Sequence, residues 1–459
     1  MNPRIWRLAL TVLALMSICT GAFADPADGT IAQIDKGDTA WLLTSCALVL
    51  LMTPGLAFFY GGMVRSKNIL SVLMQSFVAC GLITVQWVLF GYSLAFGPDH
   101  GHFIGGLDWA GLQHVSAYRG YTTYSATIPH QLYCMFQLMF AIITPALISG
   151  AIVERMKFSA YLLFMFLWST FVYDPLAHWV WGQGGWLHGS VVGKIAALDF
   201  AGGSVVHMSS GFSALTLALM LGKRKRSEGG DELRPHNLPL TLLGTGLLWF
   251  GWFGFNAGSA VASGQLATTA FVATHVATGT AAMVWLLLDW IIYKKPTALG
   301  FASGAVAGLV AITPACGYVT PLSSIAIGAI VACVCFFAIK LKHKMGADDA
   351  LDVFGVHGCG GLTGALCTGI FADLAVNSAG ANGLINGNAS QMISQVVDIV
   401  ATIVVSVVGT LIIGTIVKMV CGGLRASEDG EDVGLDLADH GEAGYSTDIS
   451  AVPAFEGAH

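Results

Sequence analysis

Two stretches of this chain set a carboxylate and an imidazole at the same spacing. Asp199 is followed eight residues on by His207 and then by Gly211. Asp349 is followed by His357 and then by Gly361. Both read D-x7-H-x3-G, and both lead into apolar sequence. A neutral imidazole carries one donor and one acceptor nitrogen. Two of them side by side would hydrogen-bond a small polar molecule and hand a proton along. An Asp at the start of a helix suits a different task, because it accepts backbone N–H bonds and meets the positive end of the dipole. Asp199 and Asp349 are therefore read as structural supports. A lone histidine in an apolar run is commonly a satisfied core residue, and His275, which has no such partner, is read as a helix-to-helix hydrogen bond. The recurrence of the whole pattern sets His207 and His357 apart.

The elements that must hold these residues follow from composition. Apolar types make up 55% of the chain and charged types only 10%, against about 25% in soluble domains. This excludes a disordered chain, a nucleic-acid binder and an ordinary soluble enzyme. The expected fold is all-α and polytopic. A span needs about 20 apolar residues, and eleven apolar segments follow residue 38: 40–62, 68–96, 130–153, 158–180, 201–221, 238–259, 267–292, 299–315, 321–340, 353–373 and 392–420. Residues 1–24 read as a signal peptide, with Arg4 and Arg7 before a short apolar run and Ala22-Phe23-Ala24 as the cleavage site. The mature N-terminus then lies outside, and an odd number of spans puts the C-terminus in the cytoplasm. The charges agree: sixteen of the 21 Lys and Arg fall on the inner side, and Lys36, Arg119 and Lys194 on the outer. Cysteines such as Cys80, Cys134 and Cys367 sit in apolar runs as small buried hydrophobes. Cys333 and Cys335 lack further ligands, so no metal is expected.

The first D-x7-H motif enters the fifth span from outside, and the second enters the tenth from inside. Residues 25–221 and 238–373 would then hold inverted five-helix halves, joined by an inner loop at 222–237, an arrangement found in transporters. The eleventh helix at 392–420 and an acidic tail at 421–459 follow. Eight residues at 1.5 Å each place an imidazole about 12 Å below its own face. In a core about 30 Å thick the two depths differ by only about 6 Å. The rings are expected to meet near the midplane.

The chain resembles the Amt/Mep/Rh family of ammonium transporters, bacterial Amt branch. The matching stretches are Thr53-Pro-Gly-Leu-Ala-Phe-Phe-Tyr-Gly-Gly62, Phe136-Gln-Leu-Met-Phe140, Pro145 to Arg155, Asp199 to His207, Trp249 to Ser259 and Asp352 to Gly358, with a tail match from Gly434 to Tyr445. The resemblance implies a homotrimer in the bacterial cytoplasmic (inner) membrane, one pore per subunit and no cofactor. It also implies ammonium or ammonia as substrate, with methylammonium as analogue, and a PII-type regulatory protein binding the cytoplasmic face. Phe140, Trp186 and Ser259 match the family's outer recruitment site. Phe140 and Phe255 match its gate, His207 and His357 its central pair, and Asp199 its buried supporting carboxylate. The loop from Trp186 to Asp199 runs slightly longer than in the family pattern.

These implied roles make physical sense. Aromatic faces attract a partly desolvated cation, and a serine hydroxyl accepts an N–H bond. Beyond them lies apolar sequence, where an unpaired ion is costly. Ammonium can shed its proton there and potassium cannot. Trp252 is read as helix packing. Three other readings remain at this stage: a Rh-like channel for ammonia or carbon dioxide, an ammonium sensor signalling through its tail, and an intramembrane metalloenzyme using the two histidines. The last lacks H-E-x-x-H or a third ligand.

Overall fold

The computed structural model describes residues 34–188, 196–225 and 233–445. The signal peptide, Lys194, Arg226 and the last fourteen residues of the tail lie outside this range. Among the described residues, ten helices are long and apolar enough to cross a membrane. They are α1 (Lys36–Met63), α2 (Ser66–Phe96), α3 (His130–Ile152), α4 (Phe158–Trp181), α5 (Gly203–Leu221), α6 (Leu238–Gly258), α7 (Gln265–Tyr293), α9 (Pro321–Lys342), α10 (Phe354–Phe371) and α11 (Ser390–Val420). Between α7 and α9 lies α8 (Ala298–Ile312), apolar but shorter. The protein is an all-α polytopic membrane protein. A short hairpin, β1 (Asp99–His100) and β2 (Ile104–Gly105), decorates one end.

Apolar side chains on all faces of a helix suit either hydrocarbon or the inside of a bundle. Burial separates the two cases. In α3, 89% of the most apolar stretch is buried, against 39% in α7 and 33% in α11. Helix α3 therefore runs through the middle, and α7 and α11 lie on the rim, exposing residues such as Met283, Leu287, Val400 and Val404. Helix starts are capped where the sequence provides short polar side chains. Asp35 accepts from the Asp38 N–H, Asn237 from the Leu240 N–H and Thr297 from the Gly300 N–H.

One end of the bundle gathers the basic residues. Arg65 pairs with Glu154 at 3.1 Å and Arg224 with Asp348 at 2.9 Å. Burial pushes the Asp348 carboxyl up. The hydrogen bonds and charge of Arg224, with help from Arg155, outweigh this and hold it at about 2. The acidic tail is docked on this face. It forms a short helix, α12 (Glu428–Val433), then a turn in which Asp436 accepts the Ser71 N–H at 2.8 Å. Leu435 N–H donates to the Asn68 side chain and Lys67 Nζ to the Asp432 carbonyl. Negative net charge alone would leave such a segment solvated, but here each acidic turn meets a donor.

Close approach of α5 and α10 depends on glycine. A Cβ on Gly211 would collide with the Gly358 backbone, and one on Gly361 would lie 2.7 Å from the Gly203 carbonyl. Gly211→Ala should lower stability by about 1–3 kcal/mol through overpacking. Gly81→Ala, where a Cβ meets open space, should be neutral or stabilising by up to about 1 kcal/mol. Thermal unfolding in detergent distinguishes them, and equal behaviour of the two variants would refute the crossing argument.

Candidate functional site

Helix α5 begins with a π turn, Gly203–Met208, and α10 with another, Phe354–Gly358. Each turn carries one of the motif histidines, and each is capped by the motif's Asp. Asp199 Oδ1 accepts from Gly202 and Gly203 N–H at 2.9 and 2.6 Å, and Oδ2 from Ser204 and Val205 N–H at 2.9 and 3.2 Å. Gly202, at φ 115°, makes the bend that lets four successive amides converge on one carboxylate. Asp349 accepts from Val353 and Phe354 N–H at 3.0 and 2.8 Å and lies 3.4 Å from Lys342 Nζ. Both carboxylates are buried and line neither chamber described below.

So positioned, His207 and His357 face each other. Their Nδ1 atoms are 3.3 Å apart, and the rings are nearly parallel at 5.3 Å. One Nδ1 must donate to the other, so opposite tautomers are required. His207 Nε2 is buried with no partner within the protein. Trp252 stacks on His207 at 5.2 Å, and Phe255 lies 5.9 Å away.

Two chambers adjoin at this pair. The first, beneath Phe255, is walled by Leu56, Ile143, Leu147, Leu248, Val306 and Trp252, and its polar groups belong to the two imidazoles. The second opens toward the basic end past Tyr60, Ser303 and Asp352. His357 and Phe59 border both. An ion entering the first chamber would lose its water for hydrocarbon, a cost of several kcal/mol. A neutral molecule with donors and a lone pair would find partners at the imidazoles.

Above the first chamber the Phe140 and Phe255 rings touch, with centroids 4.3 Å apart. The indole beside Phe140 belongs to Trp181, edge-on at 5.9 Å, and its Nε1–H donates to the Asp199 carbonyl at 2.9 Å. Trp186 packs instead on Trp179 at 5.6 Å, and its backbone N–H is held by the His102 carbonyl of the hairpin. Ser259 follows one turn after Phe255. Its hydroxyl donates to the Phe255 carbonyl at 2.8 Å, leaving oxygen lone pairs as acceptors. Sequence reasoning thus passed over Trp181. Trp181 lies one residue past the apolar span read at 158–180, where the helix still continues, whereas Trp186 sits in the loop beyond. Trp252, read as packing, lines the first chamber. His275 lies exposed on the bundle wall against Trp249 and Phe253.

Among the described residues no group of three or more His, Cys, Asp or Glu could hold a metal. The model of the Ammonium Transporter Family matches residues 40–445. The chain belongs to the ammonium transporter family. It is 54% identical over 413 residues to the ammonium transporter of Bacillus subtilis (strain 168), covering 90% of this chain and 99% of that protein. The ammonium transporter of Aquifex aeolicus (strain VF5) is 47% identical over 443 residues, covering 95% and 100%. The crystal structure of Candida albicans Mep2 superimposes with a TM-score of 0.81 at 36% identity, over 92% of this chain and 93% of that one.

Proposed function

We propose that the protein moves ammonium nitrogen across the membrane by passing one ammonium proton to the His207–His357 pair as the nitrogen enters the apolar chamber, and conducting the nitrogen onward as ammonia. Membership of the ammonium transporter family supports the substrate. The 3.3 Å contact between His207 and His357 is the observation that carries the mechanism. An ammonium ion pauses where the faces of Phe140 and Trp181 and the Ser259 oxygen can replace part of its water. Movement of Phe140 and Phe255 opens the way down. Potassium has no proton to give up and meets the full cost of the apolar wall. Ammonia bonds to the imidazole pair, and opposite tautomers let a proton shift along it and leave by the second chamber. Methylammonium, with the same acidic N–H, should follow the same route.

The membrane setting is part of this reading. The basic end is the cytoplasmic side of a bacterial inner membrane, which places the N-terminus outside and the C-terminus inside. Helix α8 is the eleventh span. Fifteen residues are short for a crossing, but every residue from Gly304 to Ile312 is buried by neighbouring helices, so α8 need not match the lipid thickness. Helices α1–α5 and α6–α10 are inverted halves, a view supported by the matched Asp-capped π turns. The exposed apolar faces of the rim are the surface on which a homotrimer would assemble. The docked acidic tail is a handle for a PII-type regulator.

Three outcomes are expected. His207→Ala and His357→Ala each change the ratio of ammonium to potassium current in solid-supported membrane recordings of proteoliposomes, with assembly intact; parental currents and selectivity in both would refute the relay. Loss of a cation–π contact worth about 0.5–2 kcal/mol raises half-saturation roughly two- to thirtyfold, so Trp181→Leu should weaken methylammonium uptake at low concentration while Trp186→Leu leaves it near parental. The reverse order would return the recruitment role to Trp186. Native mass spectrometry should find a trimer that gains mass on adding a PII-type protein; a monomer, or no added mass, would remove the corresponding part of the reading.

A further inference from the structure

Helix α11 faces outward with apolar residues, yet its inner face carries a polar stripe: Gln391, Gln395, Asp398, Thr402, Ser406 and Thr410, all at most 4% exposed. Polar groups inside a span are costly unless paired, and a carboxylate most of all. Most partners of the upper part of this stripe fall in one segment, the exception being the Ala365 carbonyl of α10, which also accepts from Gln395. Gln391 Nε2 donates to the Ala196 carbonyl at 2.9 Å. Gln395 brackets Leu198, accepting its N–H at 2.7 Å and donating to its carbonyl at 3.1 Å. Asp398 accepts the Ser204 hydroxyl. Residues 196–204 are the approach to the π turn that carries His207.

We propose that Asp398 is a positioning residue for His207, acting through Ser204. All three polar groups of Ser204 are engaged. Its N–H goes to Asp199, its carbonyl receives the Ser209 N–H of the π turn, and its hydroxyl goes to Asp398. The turn is held by a carboxylate from its own chain end and by a second from α11. His207 stands three residues further on with Nε2 unpartnered, so its ring is oriented by the turn, by the Nδ1 contact with His357 and by the stacked Trp252. Packing alone would be met by an apolar residue at 398. Asp398 borders neither chamber, so it does not touch the permeating molecule. The second histidine is held differently, by Lys342 of α9 against Asp349.

This assignment rests on the proposed role of the histidine pair, and the test separates the two. Full-length parent, Asp398→Ala, Asp398→Asn, Ser204→Ala, the Asp398→Ala/Ser204→Ala double variant and His207→Ala are reconstituted and pulsed with ammonium on solid-supported membranes. Misplacement of a reacting group by about an ångström costs up to about a hundredfold. Asp398→Ala and Ser204→Ala should each lower the maximal current about tenfold with half-saturation unchanged. Asp398→Asn, which keeps an acceptor oxygen, should retain most of it. The double variant should match Asp398→Ala, because both changes remove one contact. Parental maximal currents in both single variants, an effect on half-saturation alone, no rescue by Asn, or multiplied losses in the double would each overturn the proposal while leaving the histidine reading intact if His207→Ala is altered. Parental behaviour of His207→Ala would overturn both. If Asp398→Ala fails to assemble, Ser204→Ala, which deletes a single oxygen, decides on the same criteria.

Discussion

An imidazole nitrogen surrounded by hydrocarbon needs a partner, and at 3.3 Å His207 and His357 supply one another's. Much of the surrounding architecture serves this contact. Glycines at 211 and 361 let the two helices cross at backbone distance. Asp199 and Asp349 gather the amides of the π turns, so that each histidine leaves its helix at a set angle. A π turn widens the helix locally and shifts the side-chain register. The same device on both helices keeps the two rings at matching heights.

Several other buried polar groups of this membrane protein are paired in the same manner. On the basic face Glu154 is met by Arg65 and Arg224, and Asp348 by Arg224. In the apolar part, Gln395 spends its amide on backbone groups of Leu198 and Ala365. His207 Nε2 is buried without a partner in the protein, and among the residues with such an atom it is His207 that borders the first chamber. A donor supplied from outside the chain would complete it, which ammonia does and potassium does not.

Much of this was legible in the amino-acid order. The span positions agree with the helices to within a few residues, because runs of apolar residues leave a chain little choice in a membrane. The D-x7-H repeats singled out the histidines, but not by helical depth: the helices begin only at Gly203 and Phe354, and the first half of each interval is the turn in which the Asp gathers the amides. The indole at the pore mouth was harder. Trp181 and Trp186 are five residues apart on either side of a helix end, and nothing in composition says which one turns toward Phe140. Trp252 was read as packing because its facing residue, His207, is forty-five positions away. Asp398 belongs to no repeated motif, and its meaning depends on a hydroxyl from another helix. Long-range pairings of single residues leave no local signature.

The bond from Trp181 to the Asp199 carbonyl has a bearing on the loop between them. Asp199 gives its side chain to the His207 turn and its carbonyl to the indole, so one residue sets both heights. The separation of the two levels therefore does not accumulate errors along the connecting chain. A change in the number of residues between Trp181 and Asp199 would leave that shared anchor in place.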